Sequence, residues 1–160
     1  ARIADVVVSR TPALSITFSV KGAFTKEIDE AIQSGIPTAF NFIVEVNRVR
    51  SAWFNEPLSE TRFSHKVKYD SLKQEYEIYI DEMGGEPIRT KDANEMKALM
   101  SVATSVAIKS SAPLVKGEQY EFMVKAELRT VDLPFLLDYL LFFVKLWDFE
   151  TSWYTYSYTP

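Results

Sequence analysis

Leu14-Ser15-Ile16-Thr17-Phe18-Ser19-Val20-Lys21 sets an apolar side chain against a polar one at every step. Successive side chains of an extended strand point to opposite faces, so this stretch is a strand with one dry face and one wet face. Upstream, residues 3–10 are rich in β-branched side chains and Thr11-Pro12 breaks the run, so the two segments pair as a hairpin. The alternation returns at Phe40, Phe42, Val44 and Val46, set against Asn41, Glu45 and Asn47. Ile43 interrupts the polar side there, which predicts cover on both faces at the middle of that strand. Phe63, His65, Val67 and Tyr69 alternate with Arg62, Ser64, Lys66 and Lys68. Tyr76, Ile78 and Ile80 follow after residues 70–74, a polar link of hairpin-loop length. Tyr120, Phe122, Val124, Ala126 and Leu128 face away from Glu121, Lys125, Glu127 and Arg129, and residues 153–158 carry enough aromatics for both faces of a last strand.

Helical punctuation falls between these strands. Thr25 is placed as an N-cap, with Glu27 in the first turn and Ile28, Ala31 and Ile32 as a stripe. Gly35 then supplies the left-handed stop, and Pro37 prevents resumption. A second helix starts at about Asp92, with Glu95 at capping-box spacing and Met96, Leu99, Met100 and Ala103 as its apolar side. Seven or eight strands with two or three short helices predict a mainly β protein, an antiparallel β-sandwich. No linker, repeat or like-charge block divides the chain, so residues 1–160 read as one domain.

A chain of 160 residues buries about 70% of its unfolded surface, enough for a core without metal or disulfide staples. Hydrophobic residues at 47% and charged residues at 25% exclude disordered and collagen-like classes. The absence of cysteine removes thiol catalysis, disulfides and thiolate metal sites together. A net charge of −4 argues against a nucleic-acid partner, whose binders are basic. The chain opens on Ala1 without a methionine, the trace that a removed export leader or a cloned fragment would leave. No run of 18 apolar residues is present.

Residues 133–147 carry only Asp138 and Lys145 as charges, with Asp132 as a cap and Pro134 in the first turn. As a helix the segment would span about 22 Å, short of the about 30 Å hydrocarbon core. It either packs across an open end of the sandwich or presents Phe135, Tyr139, Phe142 and Phe143 to a partner protein or a membrane surface.

Tools for catalysis are few. The single histidine, His65, shares its strand parity with Phe63 and Val67, which places it in the core. There is no nucleophile elbow, phosphate loop or dinucleotide fingerprint. The five glycines lie apart and read as turns, Gly84-Gly85 as a loop tip. Asp81-Glu82 is an incomplete shell for a hard cation and reads as solvated loop charge. These residues predict a protein without catalytic residues, metal or cofactor. Positive charge concentrates at Arg48, Arg50, Arg62, Lys66, Lys68 and Lys73. If the strands bearing them are neighbours, the charges form either a basic patch beside Trp53 and Phe54 or a solvated face that discourages edge aggregation.

Three stretches together resemble the bacterial family called domain of unknown function 4390. They are Phe42-Ile43-Val44-Glu45-Val46-Asn47-Arg48-Val49-Arg50 continuing through Trp53-Phe54, His65-Lys66-Val67-Lys68-Tyr69-Asp70-Ser71-Leu72-Lys73-Gln74-Glu75-Tyr76, and Trp147-Asp148-Phe149 with Trp153-Tyr154. The resemblance implies an exported protein of the Gram-negative envelope with its leader removed, without an established activity. It also implies genes often near a membrane-bound sensor histidine kinase of the nitrogen-regulation type. Residues and resemblance together predict a periplasmic, non-enzymatic domain that binds another envelope protein. Its docking residues would be Arg48, Arg50, Trp53 and Phe54 on one edge, and Phe135, Tyr139, Phe142 and Phe143 on the apolar segment. The alternative is a carrier of a lipid or other small hydrophobic ligand, with the aromatic tail and the apolar helix closing a cavity between the sheets.

Overall fold

The structure, a computed structural model, describes residues 1–130 and 149–160. The apolar segment at 133–147, with Phe135, Tyr139, Phe142 and Phe143, lies outside the described residues. Two antiparallel sheets enclose one contiguous hydrophobic cluster, as the alternating strands predict. The smaller sheet has the order β1-β2-β7, formed by Arg2–Ser9, Ser15–Lys21 and Val102–Ala107. The larger has the order β10-β8-β3-β4-β5-β6. Its strands are Tyr154–Tyr158, Tyr120–Thr130, Thr38–Arg48, Glu56–Asp70, Glu75–Ile80 and Pro87–Thr90, with β9 (Phe149–Glu150) also paired to β8. Ten strands are therefore seen among the described residues where the sequence pattern supports seven or eight.

Strand β3 is paired along both edges, from Thr38↔Val67 to Arg48↔Glu56 with β4 and from Thr38↔Thr130 to Arg48↔Tyr120 with β8. Its inner side chains Phe40, Phe42, Val44 and Val46 are all buried. Ile43 on the outer face is only 6% exposed, so the strand is covered on both faces there. Its cross-strand neighbours are Arg62 and Lys125, long chains whose stems can cover apolar surface while the charge stays wet. A bulge in β4 between Val46↔Ser59 and Asn47↔Pro57 inserts Leu58 as an extra residue. It flips the parity of β4, so Leu58 points into the core although Phe63 and Val67 are odd-numbered.

In the smaller sheet β2 is the central strand, and both outer strands are bulged against it. Asp5 in β1 has φ 56° and Ser105 in β7 has φ 49°, and each lies at a register shift. Aspartate tolerates this left-handed backbone better than most residues. The Ser19 hydroxyl donates to Asp5 Oδ2 at 2.7 Å and the Ser105 N–H donates to Thr17 Oγ1 at 2.9 Å, so each bulge is pinned by a side chain of β2 or by its own acid. Phe18 crosses to the larger sheet, its ring 5.5 Å from Phe42 and edge-on, and Phe42 stacks on Phe63 at 5.0 Å.

Helix α1 (Lys26–Gln33) begins where its cap predicts, with Thr25 Oγ1 accepting from the Ile28 N–H, and buries Ile28, Ala31 and Ile32. Gly35 follows with φ 85°. In α2 (Ala93–Ser101) the Asp92 carboxylate caps the N–H groups of Asn94 and Glu95. Glu95 does not close a capping box; it accepts from the Thr90 hydroxyl, which itself accepts from the Asp92 N–H. Ala103 belongs to β7 and not to the helix, because the chain passes straight from helix into strand at Val102. Lys97 of α2 bridges to Asp29 of α1 at 3.0 Å and lies over the Phe24 ring, tying the two helices together.

Phe42→Ala removes the ring shared by Phe18, Phe40, Phe63 and His65. It should cost about 3–5 kcal/mol, read as a lowered midpoint in urea unfolding. A hydrogen bond from the Ser19 hydroxyl, and next the positive charge of Lys21, hold the Asp5 carboxyl below the ordinary carboxylate range. A depressed folded value means stability present above the unfolded carboxylate range and lost as pH falls through it. Asp5→Asn should therefore flatten the acid limb of a stability–pH curve below about pH 4 while keeping the left-handed turn.

Candidate docking loop and the buried histidine

The pairing of β3 with β4 ends at Arg48↔Glu56, so residues 49–55 project past the end of the larger sheet. Their two ends are fastened. The Val49 N–H donates to the Gln119 carbonyl at 2.9 Å, and the Asn55 amide donates to Glu121 Oε2 at 3.1 Å. Arg50 reaches Glu56 at 2.5 Å, and Arg48 approaches the same oxygen at 3.5 Å. Arg48 also lies over the Tyr120 ring, and Tyr120 with Glu56 holds its guanidinium above the ordinary arginine range. Between these anchors Trp53 is 78% and Phe54 97% exposed. The structure thus brings together Arg48, Arg50, Trp53 and Phe54, the four described residues of the predicted set.

The wider basic patch is interrupted by acids. Strands β3 and β4 are indeed neighbours, and acids stand beside several of the basic residues, although Lys66 faces Ala39 and Tyr79. Glu56 takes Arg48 and Arg50, Glu60 takes Arg62 at 2.5 Å, and Lys68 stands opposite Glu77. What remains at the loop is an apolar tip on a charge-compensated stem.

His65 sits at 0% exposure on the inner face of β4, as its parity predicts. Its Nδ1 lies 2.9 Å from the Met100 carbonyl oxygen and its Nε2 2.6 Å from Glu82 Oε1. A carbonyl only accepts, so Nδ1 carries a hydrogen; the short contact at Nε2 requires one proton between ring and carboxyl. Glu82 comes from the 3-10 turn Asp81–Met83, whose neighbour Asp81 accepts from the Ser64 N–H at 2.8 Å. Asp81-Glu82 is therefore not free loop charge; it clips that turn onto β4, while the Met100 contact clips the end of α2. Gly84 and Gly85, with φ 96° and 72°, close the turn behind it. Nothing in the sequence signals the His65–Glu82 pair, since its partners are distant in the chain and meet only through the β4–β5 register.

Neither of two surface depressions is lined by this histidine. One of about 420 Å³ lies on the outer face, between Asn41, Ile43, Arg62, Ser64 and Glu127. Another of about 460 Å³ lies between the β1–β2 turn and residues 108–114, lined by Arg10, Leu14, Ile108, Pro113 and Leu114. No group of three or more metal-ligating side chains is found among the described residues.

Glu82→Gln should preserve stability nearly intact, because its amide can donate to Nε2. Glu82→Leu should cost about 1–3 kcal/mol by stranding a buried ring nitrogen. Nitrogen-15 spectra of the imidazole should assign the hydrogen to Nδ1 in the Gln variant, and a hydrogen on Nε2 alone would contradict the geometry.

No curated protein matches the chain, and no solved structure does. The family described as Domain of unknown function (DUF4390) matches residues 4–157, nearly the whole sequence and every described strand from β2 to β9. The chain belongs to that family, as its central basic and aromatic strands imply.

Proposed function

We propose that this domain is a non-enzymatic recognition module of the bacterial periplasm, which binds another envelope protein through the tip of the 49–55 loop. The partner class we favour is the outer domain of a membrane sensor histidine kinase. The observation that carries the reading is the side-by-side exposure of Trp53 and Phe54 on an anchored loop. Each ring offers roughly 150–250 Å² of contact surface at the cost of few rotatable bonds. Tryptophan and arginine are the residue types that dominate binding energy at protein interfaces. Because Val49, Arg50 and Asn55 already fix the loop ends, little backbone freedom remains to be lost on docking. Arg48 and Arg50 share Glu56, so the stem favours a partner whose pocket is apolar at the centre and carries both signs at the rim.

A second reading, carriage of a small hydrophobic ligand, draws support from the depression of about 460 Å³ lined by Leu14, Ile108, Pro113 and Leu114. Its residues are separate from Trp53 and Phe54, so the two readings respond to different substitutions.

Titration of the purified kinase outer domain against the full chain should give saturable binding. Trp53→Ala and Phe54→Ala should each weaken it at least about tenfold, with unfolding midpoints unchanged because neither ring packs in the core. Equal affinity for wild type and both variants would remove the loop from the interface. Binding of a fluorescent fatty acid that Leu114→Arg abolishes and Trp53→Ala leaves intact would move the reading to the carrier. A fusion to a reporter that becomes active only after export tests the periplasmic address.

A further inference from the structure

Among the described residues the larger sheet ends on one side at β10, Tyr154-Thr155-Tyr156-Ser157-Tyr158. Unpaired strand edges invite pairing, and folded proteins blunt them with bulges, charges, proline or shortness. The other described edges are blunted in these ways. Strands β1 and β7 carry the left-handed bulges at Asp5 and Ser105, and β6 is four residues long, opens on Pro87 and includes Arg89. Strand β10 has no bulge, no proline and no charge.

The orientation of its backbone follows from β8. The Ala126 N–H donates to Thr151 Oγ1 and the Ala126 carbonyl accepts from the Thr151 N–H, so even-numbered residues of β8 direct their backbone groups toward β9 and β10. Gln119 accepts from the Val49 N–H next to β3, so odd-numbered residues direct theirs the other way. In the register Tyr154↔Val124, Tyr156↔Phe122 and Tyr158↔Tyr120, the tyrosines therefore bond to β8. The N–H and C=O groups of Thr155 and Ser157 are left pointing outward.

From this we infer that β10 is a self-pairing edge, which joins two copies of the chain antiparallel about a two-fold axis through Tyr156. In that register Thr155 stands opposite Ser157 of the other copy, so each outward N–H and C=O finds its complement in four backbone hydrogen bonds. Tyr156 meets Tyr156 and Tyr154 meets Tyr158 on one face, while the hydroxyl side chains meet on the other. Aromatic pairs and Thr–Ser pairs directly across strands are favourable, and no like charges are opposed. The strand reads Tyr-hydroxyl-Tyr-hydroxyl-Tyr in both directions. That symmetry is what an isologous contact requires and what an unrelated partner strand would not.

Sedimentation across a wide concentration series should show a reversible monomer–dimer equilibrium. Thr155→Lys with Ser157→Lys opposes like charges twice and should weaken the dimer at least about tenfold. Thr155→Lys with Ser157→Glu opposes unlike charges twice and should retain it. Folding and pairing separate in this comparison. Ser157 is registered to Glu121, so the lysine pair gains an attraction within the monomer and the glutamate variant a repulsion. The chain has no cysteine, so Tyr156→Cys should form a disulfide-linked dimer on oxidation, the opposed α-carbons lying about 4.5 Å apart. A monomer at every concentration, or a dimer equally tight in the two charge variants, would overturn the proposal.

Discussion

Strand β3 is the constraint from which the remaining geometry follows. It is hydrogen-bonded along its whole length on both sides, and its inner residues fill the space between the sheets. A slip of one residue would turn Phe40, Phe42, Val44 and Val46 to the outer face and bring Asn41, Glu45 and Asn47 into the core. No alternative register is tolerable. Because β3 and β4 both run to the Arg48↔Glu56 pair, the loop joining them begins where their pairing ends, and among the described residues no strand pairs with its tip. The exposure of Trp53 and Phe54 is thus a consequence of strand length as much as of the loop itself.

How far the sequence reveals this architecture depends on how local each cause is. Strands with one wet face are legible because their period appears in the residues themselves; so are the caps at Thr25 and Asp92, whose partners lie two or three positions on. Strand β7 is not legible. Its alternation is broken by the bulge at Ser105, and it follows α2 without a glycine or proline to mark the change, so Ala103 reads as one more helical contact. The acids that neutralise the basic positions are equally hidden. Glu56 opposite Arg48 and Glu77 opposite Lys68 gain their places from register, and register is a property of two strands at once; only Glu60, two residues from Arg62 on one strand, is a local neighbour.

The polar groups that tie elements together differ between the interior and the loop end. His65, Glu82 and Asp81 join β4 to the 3-10 turn and to the end of α2, and both ring nitrogens of the histidine are engaged. At the loop end the arrangement is reversed, since the charged groups compensate one another near the surface and the apolar groups face water. Burying a charge pair is costly unless every atom is satisfied, and Glu82 Oε2 is buried without a partner. That cost is borne at a junction of three elements, where the tie secures their relative placement, and again at the base of the loop, where Arg48 Nε is buried without a partner.

The two proposed surfaces also constrain each other. Tyr158 pairs with Tyr120, and Tyr120 pairs with Arg48, so the last residues of β10 and the base of the 49–55 loop lie at the same end of the sheet with β8 between them. If two β10 strands run antiparallel across a two-fold axis, the ends of the two sheets alternate, and the two loops project from opposite ends of one continuous sheet. Neither loop then obstructs the strand pairing, and neither pairing edge covers a loop. A partner that touches one tip leaves the other free, so the dimer would be bivalent toward two separate molecules and could not grip a single small one with both tips. Avidity would appear only where partners are themselves arrayed, as they are when fixed in a membrane, because the second contact then draws on an effective concentration set by spacing and not on bulk supply.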